Sequence, residues 1–585
     1  MNDPFRIKLI GAAGDGIISI SDTLMQAASN LGIYSTVYKS VPSSIRTGCT
    51  FSLISISLQK ITSPVGLSDV IFILRSPIEL EAIIQEIAPG GTIVANNSIS
   101  ECDTKSFSRL ITEKCFTFHQ IPFSSLTKNS ASTALLGMLA NMLDMPISLI
   151  TEILESKYST KGTLPVIFTA DLDKGFSWAS ENLNFASYLS NKSTGQQFTV
   201  LDGNQALSQG AIAAGCRFFA SYPITPSTSI GDSLSCLLPQ HGGIAYQAED
   251  EIAALGAVTG SSFSGVKAMT ATSGPGFSLM QELISYLSIA ELPAVIIDVM
   301  RAGPSTGMPT RHGQEDLMSA IFGGHSEDQR IVMAPASIED CYHIAIDAFN
   351  CAENYACPVI ILSDYAFAFT KFTLQENALN PTVDIIIRKM TKTNPPQKTF
   401  ERYSNDNSTF PELPAPGLSN CTYRITGLEH DQNSFPSENV TDRELQLKRR
   451  FKKIDTVTKE FAHMFEWDLE ELVPYNADAC IAAWGFDVLS VKETISRLRK
   501  KKYRIAGFYP KLLFPVCTRE LEKLNQYSQT LIIPESNFTG QYASLIKMRS
   551  GISSFSLTNT TGQPLIPELL EIQIENIITK KIQHA

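Results

Sequence analysis

Three carboxylates stand directly before a run of small, helix-forming residues in Tyr246–Gly260, which reads YQAEDEIAALGAVTG. Acids in the first turn of a helix complement the helix dipole, and that role alone accounts for Glu249 and Asp250. Glu251 is followed by alanines and a glycine that allow close packing, so its side chain is expected to enter the interior. A buried carboxylate has a raised pKa and can share a proton with a ligand nitrogen. The pattern therefore predicts acid–base chemistry at Glu251.

A second candidate is the segment SYPITPSTS at 221–229, which places Thr225 between two prolines. The proline rings fix the backbone on both sides of this threonine. Ser227 and Thr228 suit the N-cap of a following helix, and a capped helix start is their structural alternative. That alternative does not account for Thr225, whose hydroxyl is a candidate ligand contact.

A third candidate, MRAGPSTGMPT at 300–310, follows the apolar run AVIIDVM. Ligands bind open α/β sheets at the carboxyl ends of parallel strands, and an arginine among hydroxyls there suits a carboxylate or a phosphate. Arg301 and Thr310 are therefore predicted to contact a ligand, with a Gly/Pro-rich turn and a surface arginine as the alternative. His312, just beyond, is interpreted as an ordinary loop histidine.

The N-terminal run RIKLIGA leads into a turn with Gly11, Gly14 and Gly16. Glycines let a backbone approach a phosphate at a helix N-terminus, but a tight turn without a ligand explains them equally well. The spacing G-x-x-G-x-G is not that of a dinucleotide site. Gly-Asp-Gly also begins the metal motif of thiamine-diphosphate enzymes, but the distant asparagine pair of that motif is absent here, so we interpret it as a decoy.

Composition excludes several classes of protein. The chain has 585 residues, 43% hydrophobic and 18% charged, which suits about three or four globular domains. A net charge of −11 disfavours binding to nucleic acid or an anionic membrane. No apolar run reaches the roughly 20 residues of a membrane-spanning helix. The N-terminus lacks the order of a secretory signal, so a cytoplasmic location is expected.

Eleven cysteines are scattered along the chain, and none forms a C-x-x-C pair. That pattern predicts neither a disulfide framework nor a set of zinc or iron–sulfur ligands. Reduced thiols packed as small hydrophobic side chains are expected instead. Two basic clusters, 448–453 and 497–502, are interpreted as solvated helix faces or interface charges, with contact to an anionic cofactor as the alternative.

Strand-like runs alternate with helix-like runs and glycine turns through most of the chain, which is typical of α/β folds. We expect three α/β domains, at residues 1–185, 198–375 and 471–580. The short buried strands of the second suit a parallel sheet covered on both faces. Residues 376–470, rich in proline and polar side chains, are predicted to be an extended linker with one helix.

The motifs together resemble the alpha subunit of the 2-oxoacid:ferredoxin oxidoreductases, best the 2-oxoglutarate type with a gamma domain fused ahead of it. The resemblance rests on SYPITPSTS, AEDEIAALGAVTG, TSGPGFSLMQE, RAGPSTGMPT, QEDL, TGLEHDQ, KRRFKK and IIPESNFTGQ, and on PSSIRTG near the N-terminus. It covers nearly the whole chain and implies a gamma domain, a pyrimidine-type domain of a thiamine-diphosphate enzyme and a transketolase C-terminal-like domain. Asp15 and Arg46-Thr47-Gly48 depart from the family pattern and weaken a ligand role for the N-terminal domain.

The resemblance also implies roles for individual residues. Glu251 would bind the aminopyrimidine ring of thiamine diphosphate and be catalytic. Thr225 and Arg301 would contact the oxoacid carboxylate, and Thr310 would line the same pocket or the approach of coenzyme A. Gly11, Gly14, Gly16 and Arg46 would be cofactor-binding residues of the N-terminal domain, and no metal ligand is expected in this chain.

The reaction so implied is the oxidative decarboxylation of a 2-oxoacid to carbon dioxide and an acyl-coenzyme A. Electrons would pass to ferredoxin or flavodoxin through a beta subunit that holds Mg²⁺, a [4Fe–4S] cluster and the rest of the thiamine diphosphate site. The chain would therefore be inactive alone and work in a dimer of alpha–beta pairs. The alternatives are the same chemistry on pyruvate or a branched-chain oxoacid, or a non-catalytic protein that binds coenzyme A or a nucleotide.

Overall fold

The fold is that of a computed structural model, which describes residues 4–42, 49–75, 83, 85–97, 116–127, 130–158, 166–183, 195–380, 384–388, 390–391, 400–404, 413–414, 416–470 and 477–584. The strands are, in chain order, β1 (Phe5–Gly11), β2 (Tyr34–Ser40), β3 (Thr50–Ser57), β4 (Ser68–Ile73), β5 (Ile87–Asn96), β6 (Thr117–Ile121), β7 (Phe198–Asp202), β8 (Phe218–Ser221), β9 (Ile244–Gln247), β10 (Ala268–Thr272), β11 (Ala294–Met300), β12 (Ile331–Met333), β13 (Pro358–Asp364), β14 (Thr370–Gln375), β15 (Met390–Thr391), β16 (Leu413–Pro414), β17 (Phe465–Asp468), β18 (Ala479–Ala482), β19 (Ile505–Pro510), β20 (Leu512–Phe514), β21 (Leu531–Glu535) and β22 (Phe555–Thr558). The α-helices are α1 (Ile17–Asn30), α2 (Phe123–Leu126), α3 (Ala131–Met142), α4 (Ile147–Tyr158), α5 (Val166–Asn182), α6 (Gly203–Ala213), α7 (Thr228–Leu237), α8 (Glu251–Phe263), α9 (Gly274–Leu279), α10 (Gln281–Ala290), α11 (Leu317–Phe322), α12 (Ile338–Tyr355), α13 (Tyr365–Phe369), α14 (Val440–Glu460), α15 (Asp487–Lys500), α16 (Thr518–Tyr527), α17 (Gln541–Ser550) and α18 (Pro567–His584).

The chain forms two compact units, and both are α/β as expected. The first consists of Met1–Asp202, Phe369–Ala378 and Ile566–Leu570. Its eight-stranded sheet has the order β6-β5-β4-β1-β3-β2-β14-β7, parallel from β6 to β1 and antiparallel beyond. Strands β7 and β14, at the two ends of the range 198–375, therefore belong to the first sheet.

The second unit consists of Gly203–Ala368, Leu379–Leu565 and Glu571–Ala585. Its seven-stranded sheet has the order β20-β12-β13-β11-β10-β8-β9 and is parallel except for β20, which pairs antiparallel with β12. A five-stranded sheet, β17-β19-β18-β21-β22, is parallel except for β17. Apolar side chains of both sheets form one core, as the fully buried β11 illustrates. The domain boundaries expected from the sequence stay a prediction.

The basic cluster at 448–453 lies on α14 and is held by acids of the same unit. Arg449 and Lys453 both form ion pairs with Glu291, which is fully buried. Arg450 pairs with Glu429 of the TGLEHDQ motif through two hydrogen bonds of 2.9 and 2.7 Å. These cations therefore bind the linker helix to the rest of the second unit through buried charge, rather than facing solvent.

The second basic cluster, at 497–502, also has acidic partners in the second unit. Arg497 and Lys501 both pair with Glu571 on α18, at 2.6 Å in each case. Arg499 pairs with Asp468 of β17 at 2.7 Å. The acids of the unit thus already neutralise these three cations.

Candidate functional site

Four neighbouring parallel strands of the second unit, in the order β11-β10-β8-β9, end at the same edge of the seven-stranded sheet. Each motif singled out in this region directly follows one of these strands. SYPITPSTS follows β8, AEDE follows β9, TSGPG follows β10 and RAGPSTGMPT follows β11. Residues from four separate stretches of sequence thus meet at the carboxyl edge of the sheet, where ligands bind in open α/β folds.

Glu251 is the first residue of α8 and its side chain is buried, with the residue 6% exposed. Asp250 caps the helix, because its carboxylate accepts a hydrogen bond of 2.7 Å from the amide of Ala253. A Cβ at Gly276 would lie 2.3 Å from Oε1 of Glu251. The missing side chain at 276 therefore leaves the space that the Glu251 carboxylate occupies. The expected burial of this acid is confirmed.

Arg301 and Thr225, each predicted to contact a ligand, are in contact with each other. Nη1 of Arg301 donates a hydrogen bond of 2.6 Å to the backbone carbonyl of Thr225. Arg301 is 7% exposed, and its Nε has no hydrogen-bond partner among the described residues. Burial lowers the pKa of Arg301. The Thr225 side chain is exposed, so its hydroxyl and the unpaired guanidinium nitrogen are both left for a ligand.

One fully buried acid, Asp298, and one half-buried acid, Asp316, lie near this arginine, and neither was singled out from the sequence as a site residue. Asp298, in β11, is fully buried, and neither of its carboxylate oxygens has a hydrogen-bond partner among the described residues. Burial first, and then the charge of Asp316, raises the pKa of Asp298 well above its usual range, against the effect of Arg301. The pKa of Asp316 is raised to about 6 by burial and by Glu315. The sequence did contain a signal for Asp298, because it is the charged residue within the otherwise apolar run AVIIDVM.

The segment 303–310 forms an exposed loop after Arg301. A bridge between Ala302 and Met308 closes it, and Ser305 and Gly307 have positive φ values of 56° and 50°. Thr310 is half-buried at the end of this loop. Its carbonyl accepts a hydrogen bond of 3.1 Å from Arg311. Arg301 therefore lies just before this loop, and Thr310 lies at its end.

His312 does not lie in a solvated loop, contrary to its interpretation as an ordinary loop histidine. It is 2% exposed and lies between two fully buried carboxylates. Its Nδ1 is 3.7 Å from Asp364, and its Nε2 is 3.5 Å from Asp487. Both acids are distant in sequence, so no local pattern could reveal this environment.

The glycine turn of the first unit is bridged by the side chain of one of its own residues, Asp15. The carboxylate of Asp15 accepts a hydrogen bond of 2.8 Å from the amide of Ala12. Gly14 and Gly16 have φ values of 95° and 79°, and a Cβ at Gly16 would lie 2.8 Å from that of Ser132. Backbone conformation and close packing thus account for these two glycines. Arg46 lies outside the described residues, so the ligand role of this turn stays a prediction.

The described cysteines are free thiols, and all but Cys236 and Cys517 are buried. Burial raises the pKa of Cys216 and Cys480 to about 12, so both stay protonated at neutral pH. In the described ranges, no group of three or more His, Cys, Asp or Glu side chains is arranged to hold a metal ion. Over the same ranges, no helix is both long and apolar enough to cross a membrane.

Comparisons with known proteins agree with these features. Residues 209–449 match the family described as pyruvate flavodoxin/ferredoxin oxidoreductase, thiamine diP-bdg, and residues 6–169 match pyruvate ferredoxin/flavodoxin oxidoreductase. The chain is 36% identical to the 2-oxoglutarate synthase subunit KorA of Methanothermobacter marburgensis over 365 residues, which are 62% of this chain and 94% of that protein. It is 26% identical over 601 residues to the 2-oxoglutarate oxidoreductase subunit KorA of Mycobacterium tuberculosis, covering 95% of this chain and 89% of that one.

A solved structure extends the likeness to the whole chain. It is 2-oxoglutarate:ferredoxin oxidoreductase from Magnetococcus marinus, with 2-oxoglutarate, coenzyme A and succinyl-CoA bound. The two chains superpose with a TM-score of 0.90 at 31% identity, covering 99% of this chain and 100% of that chain. Both units described above therefore have counterparts in one known protein.

Proposed function

Because the chain belongs to the family of 2-oxoacid:ferredoxin oxidoreductase alpha subunits, we propose that it acts, together with a partner subunit, in the oxidative decarboxylation of 2-oxoglutarate. The products are carbon dioxide and an acyl-coenzyme A, and the electrons go to ferredoxin. The observation that carries the proposal is the meeting of the Thr225, Glu251 and Arg301 segments at one edge of the seven-stranded sheet. The names of the relatives favour 2-oxoglutarate over pyruvate or a branched-chain oxoacid.

Glu251 is the proposed catalytic residue. Its buried carboxylate lies against Gly276, where any side chain would collide with it, so the absence of a side chain at 276 lets this acid take the place from which it can share a proton with a ring nitrogen. Thiamine diphosphate, when bound, supplies the carbon nucleophile that decarboxylation of a 2-oxoacid requires. Glu251 holds the aminopyrimidine by a hydrogen bond at a ring nitrogen and keeps the proton available at that atom.

Arg301 is the proposed clamp for the oxoacid carboxylate. Its Nη1 is fixed by the Thr225 carbonyl, and this anchor orients the guanidinium while Nε stays unpaired among the described residues. A planar guanidinium binds a carboxylate through charge-assisted hydrogen bonds and holds the carbonyl beside it for attack. The Thr225 hydroxyl adds a contact to the same carboxylate, and Thr310 lines the same pocket or the approach of coenzyme A.

A beta subunit is the proposed partner. Two exposed apolar side chains lie close to Glu251 in the chain, Tyr246 at 50% and Ile252 at 49%. Exposed apolar patches of this kind mark protein interfaces. We place Mg²⁺, the [4Fe–4S] cluster and the diphosphate half of the thiamine site in that partner, since the cysteines of this chain are scattered. Two such pairs form the enzyme, which works in the cytoplasm with ferredoxin or flavodoxin.

The proposed function is tested by purifying the chain with and without its beta partner. Reduction of a dye acceptor, dependent on coenzyme A, is measured with 2-oxoglutarate, pyruvate and a branched-chain oxoacid. We expect activity from the complex alone and the highest kcat/KM with 2-oxoglutarate. Substantial reduction by the isolated chain would contradict the need for a partner, and a preference for pyruvate would overturn the substrate.

Substitution of Gly276 tests the space around Glu251. A Cβ there would lie 2.3 Å from both Oε1 of Glu251 and Oγ1 of Thr272, so Gly276→Ala must displace the catalytic carboxylate. Since a shift of about 1 Å in a reacting group can cost about a hundredfold in rate, we expect a fall in kcat of that order. The control is Gly231→Ala on α7, whose Cβ would have its nearest neighbour, in Phe219, at 3.5 Å. Equal kcat values for Gly276→Ala and Gly231→Ala would contradict the catalytic position proposed for the Glu251 carboxylate.

A further inference from the structure

His312 joins three elements of the second unit. It belongs to residues 301–316, the segment between β11 and α11. Asp364 ends β13 and Asp487 begins α15. The side chains of all three residues are completely buried, and the imidazole nitrogens lie 3.7 and 3.5 Å from the two carboxylates. Neither proposed catalysis nor the proposed substrate contacts use this buried cluster.

The carboxylates have further partners that fix their positions. Asp364 accepts hydrogen bonds from the amides of Phe367 and Phe486, at 2.9 and 3.2 Å. Asp487 accepts one of 2.8 Å from the hydroxyl of Ser536. The imidazole therefore faces two acids that are themselves held in place, and movement of His312 would leave their charges without a counter-ion.

Other bonds hold the same stretch of the segment. The backbone amide of His312 donates to Gly562, and that of Gln314 donates to Ser536, at 3.1 and 2.7 Å. The Gln314 side chain donates to the Trp484 carbonyl at 2.8 Å. The half of the segment that contains His312 is thus anchored, while residues 304–308 are exposed. Thr310 lies at the boundary between the two halves.

The charge state of the imidazole decides how well it can hold this position. A neutral imidazole has one N–H and can serve one carboxylate, whereas an imidazolium donates from both nitrogens. An unpaired buried carboxylate is costly, so the two acids favour the cation. The groups that face His312 are Asp364 from β13 and Asp487 from α15, with Glu535 of β21 next to Asp487.

We propose, resting on the function proposed above, that His312 is a positioning residue for oxoacid binding. As an imidazolium between Asp364 and Asp487 it fixes the segment that carries Arg301 and Thr310. The bound oxoacid carboxylate meets Arg301 in one geometry because the end of this segment cannot shift. Loss of the positive charge at His312 loosens the segment, so the oxoacid binds less tightly while the chemistry at Glu251 is unaltered.

The pKa of His312 gives the direction of the pH dependence. Burial lowers the pKa, but the charges of Asp364 and Asp487 outweigh it and hold the pKa above its ordinary value. The imidazolium is therefore complete below the ordinary histidine pKa of about 6.5 and is lost as the pH rises through the raised value. The KM for the oxoacid is expected to rise over that upper interval.

The test uses the alpha–beta complex with His312→Gln, measured between about pH 6 and about pH 9. At the low-pH end of this range we expect the KM of the variant for the oxoacid to be about tenfold higher than that of the unaltered complex, with kcat changed less than about twofold. The rise in KM with pH seen in the unaltered complex should disappear in this variant. His325→Gln, at an exposed loop position, is the matched control and should keep both the KM and its pH dependence.

A second variant keeps the test decisive if His312→Gln alone does not fold. His312→Gln combined with Asp487→Asn removes one positive and one negative charge, so the net charge of the cluster is unchanged. The amide oxygen introduced at position 487 can still accept the Ser536 hydrogen bond. This double variant should show the raised, pH-independent KM. An unchanged KM in either variant, or a fall in kcat alone, would overturn the role of His312. Absence of oxoacid oxidation by the unaltered complex would instead refute the proposed function.

Discussion

Replacement of Glu251 by glutamine in the alpha–beta complex is expected to lower kcat by about 10² to 10⁴-fold, the usual range for loss of a general acid–base group. Glutamine has the same shape and can still accept a hydrogen bond through its amide oxygen, but it cannot take up the proton. The side chain fits the space beside Gly276 as glutamate does. Assembly with the beta subunit and thermal stability should therefore be unchanged.

Steady-state rates with saturating oxoacid and coenzyme A measure this effect, and gel filtration confirms assembly. Glu282→Gln is the matched control, because Glu282 also lies in the first turn of a helix of this unit but is exposed. The control should keep full activity. Wild-type kcat in Glu251→Gln would remove this residue from the mechanism and leave the fold and the family untouched.

Replacement of Arg301 by glutamine is expected to raise the KM for the oxoacid by about 10 to 100-fold. Hydrogen bonds to a charged group contribute about 1.5–3 kcal/mol, and the buried cation is lost with them. Glutamine is shorter than arginine, so the hydrogen bond from Nη1 to the Thr225 carbonyl is lost together with the charge. Arg519→Gln, at a side chain that is 77% exposed, is the control and should leave the KM unchanged.

The same variant has a second expected effect, on pH dependence. Arg301 opposes the rise in the pKa of Asp316, which burial and Glu315 bring to about 6. Without the guanidinium, the pKa of Asp316 should rise further. A step of the reaction that needs the ionised Asp316 carboxylate should then move to higher pH in the pH profile of kcat/KM. A KM for the oxoacid equal to that of the unaltered complex would exclude Arg301 from carboxylate binding.

Much of this fold could be predicted from local sequence, because its central strands are short apolar runs bounded by turns. The runs at 294–300 and 357–364 correspond to β11 and β13, which are fully buried. The run at 50–58 corresponds to β3, and the basic run at 448–453 lies within α14. Burial of a strand on both faces leaves a continuous apolar pattern that needs no long-range information.

The strand order and the surroundings of the site could not be predicted in this way. Nothing local indicates that β7 and β14 pair with each other in the first sheet, or that β20 joins the second. The Thr225, Glu251 and Arg301 motifs were visible because unusual residue types cluster there. His312 was misread because its partners, Asp364 and Asp487, come from distant elements, and long-range contacts of this kind leave no periodic signal.

Strand β20 has a consequence for the order of events during synthesis. All four motif segments of the seven-stranded sheet leave the ribosome before Leu512–Phe514, which covers the edge of β12. Until then the nascent chain carries Thr225, Glu251, Arg301 and Thr310 but presents an unpaired strand edge, which is prone to pair with other chains. A ribosome that stalls before residue 512 would therefore release a product with every residue of the candidate site and a tendency to aggregate.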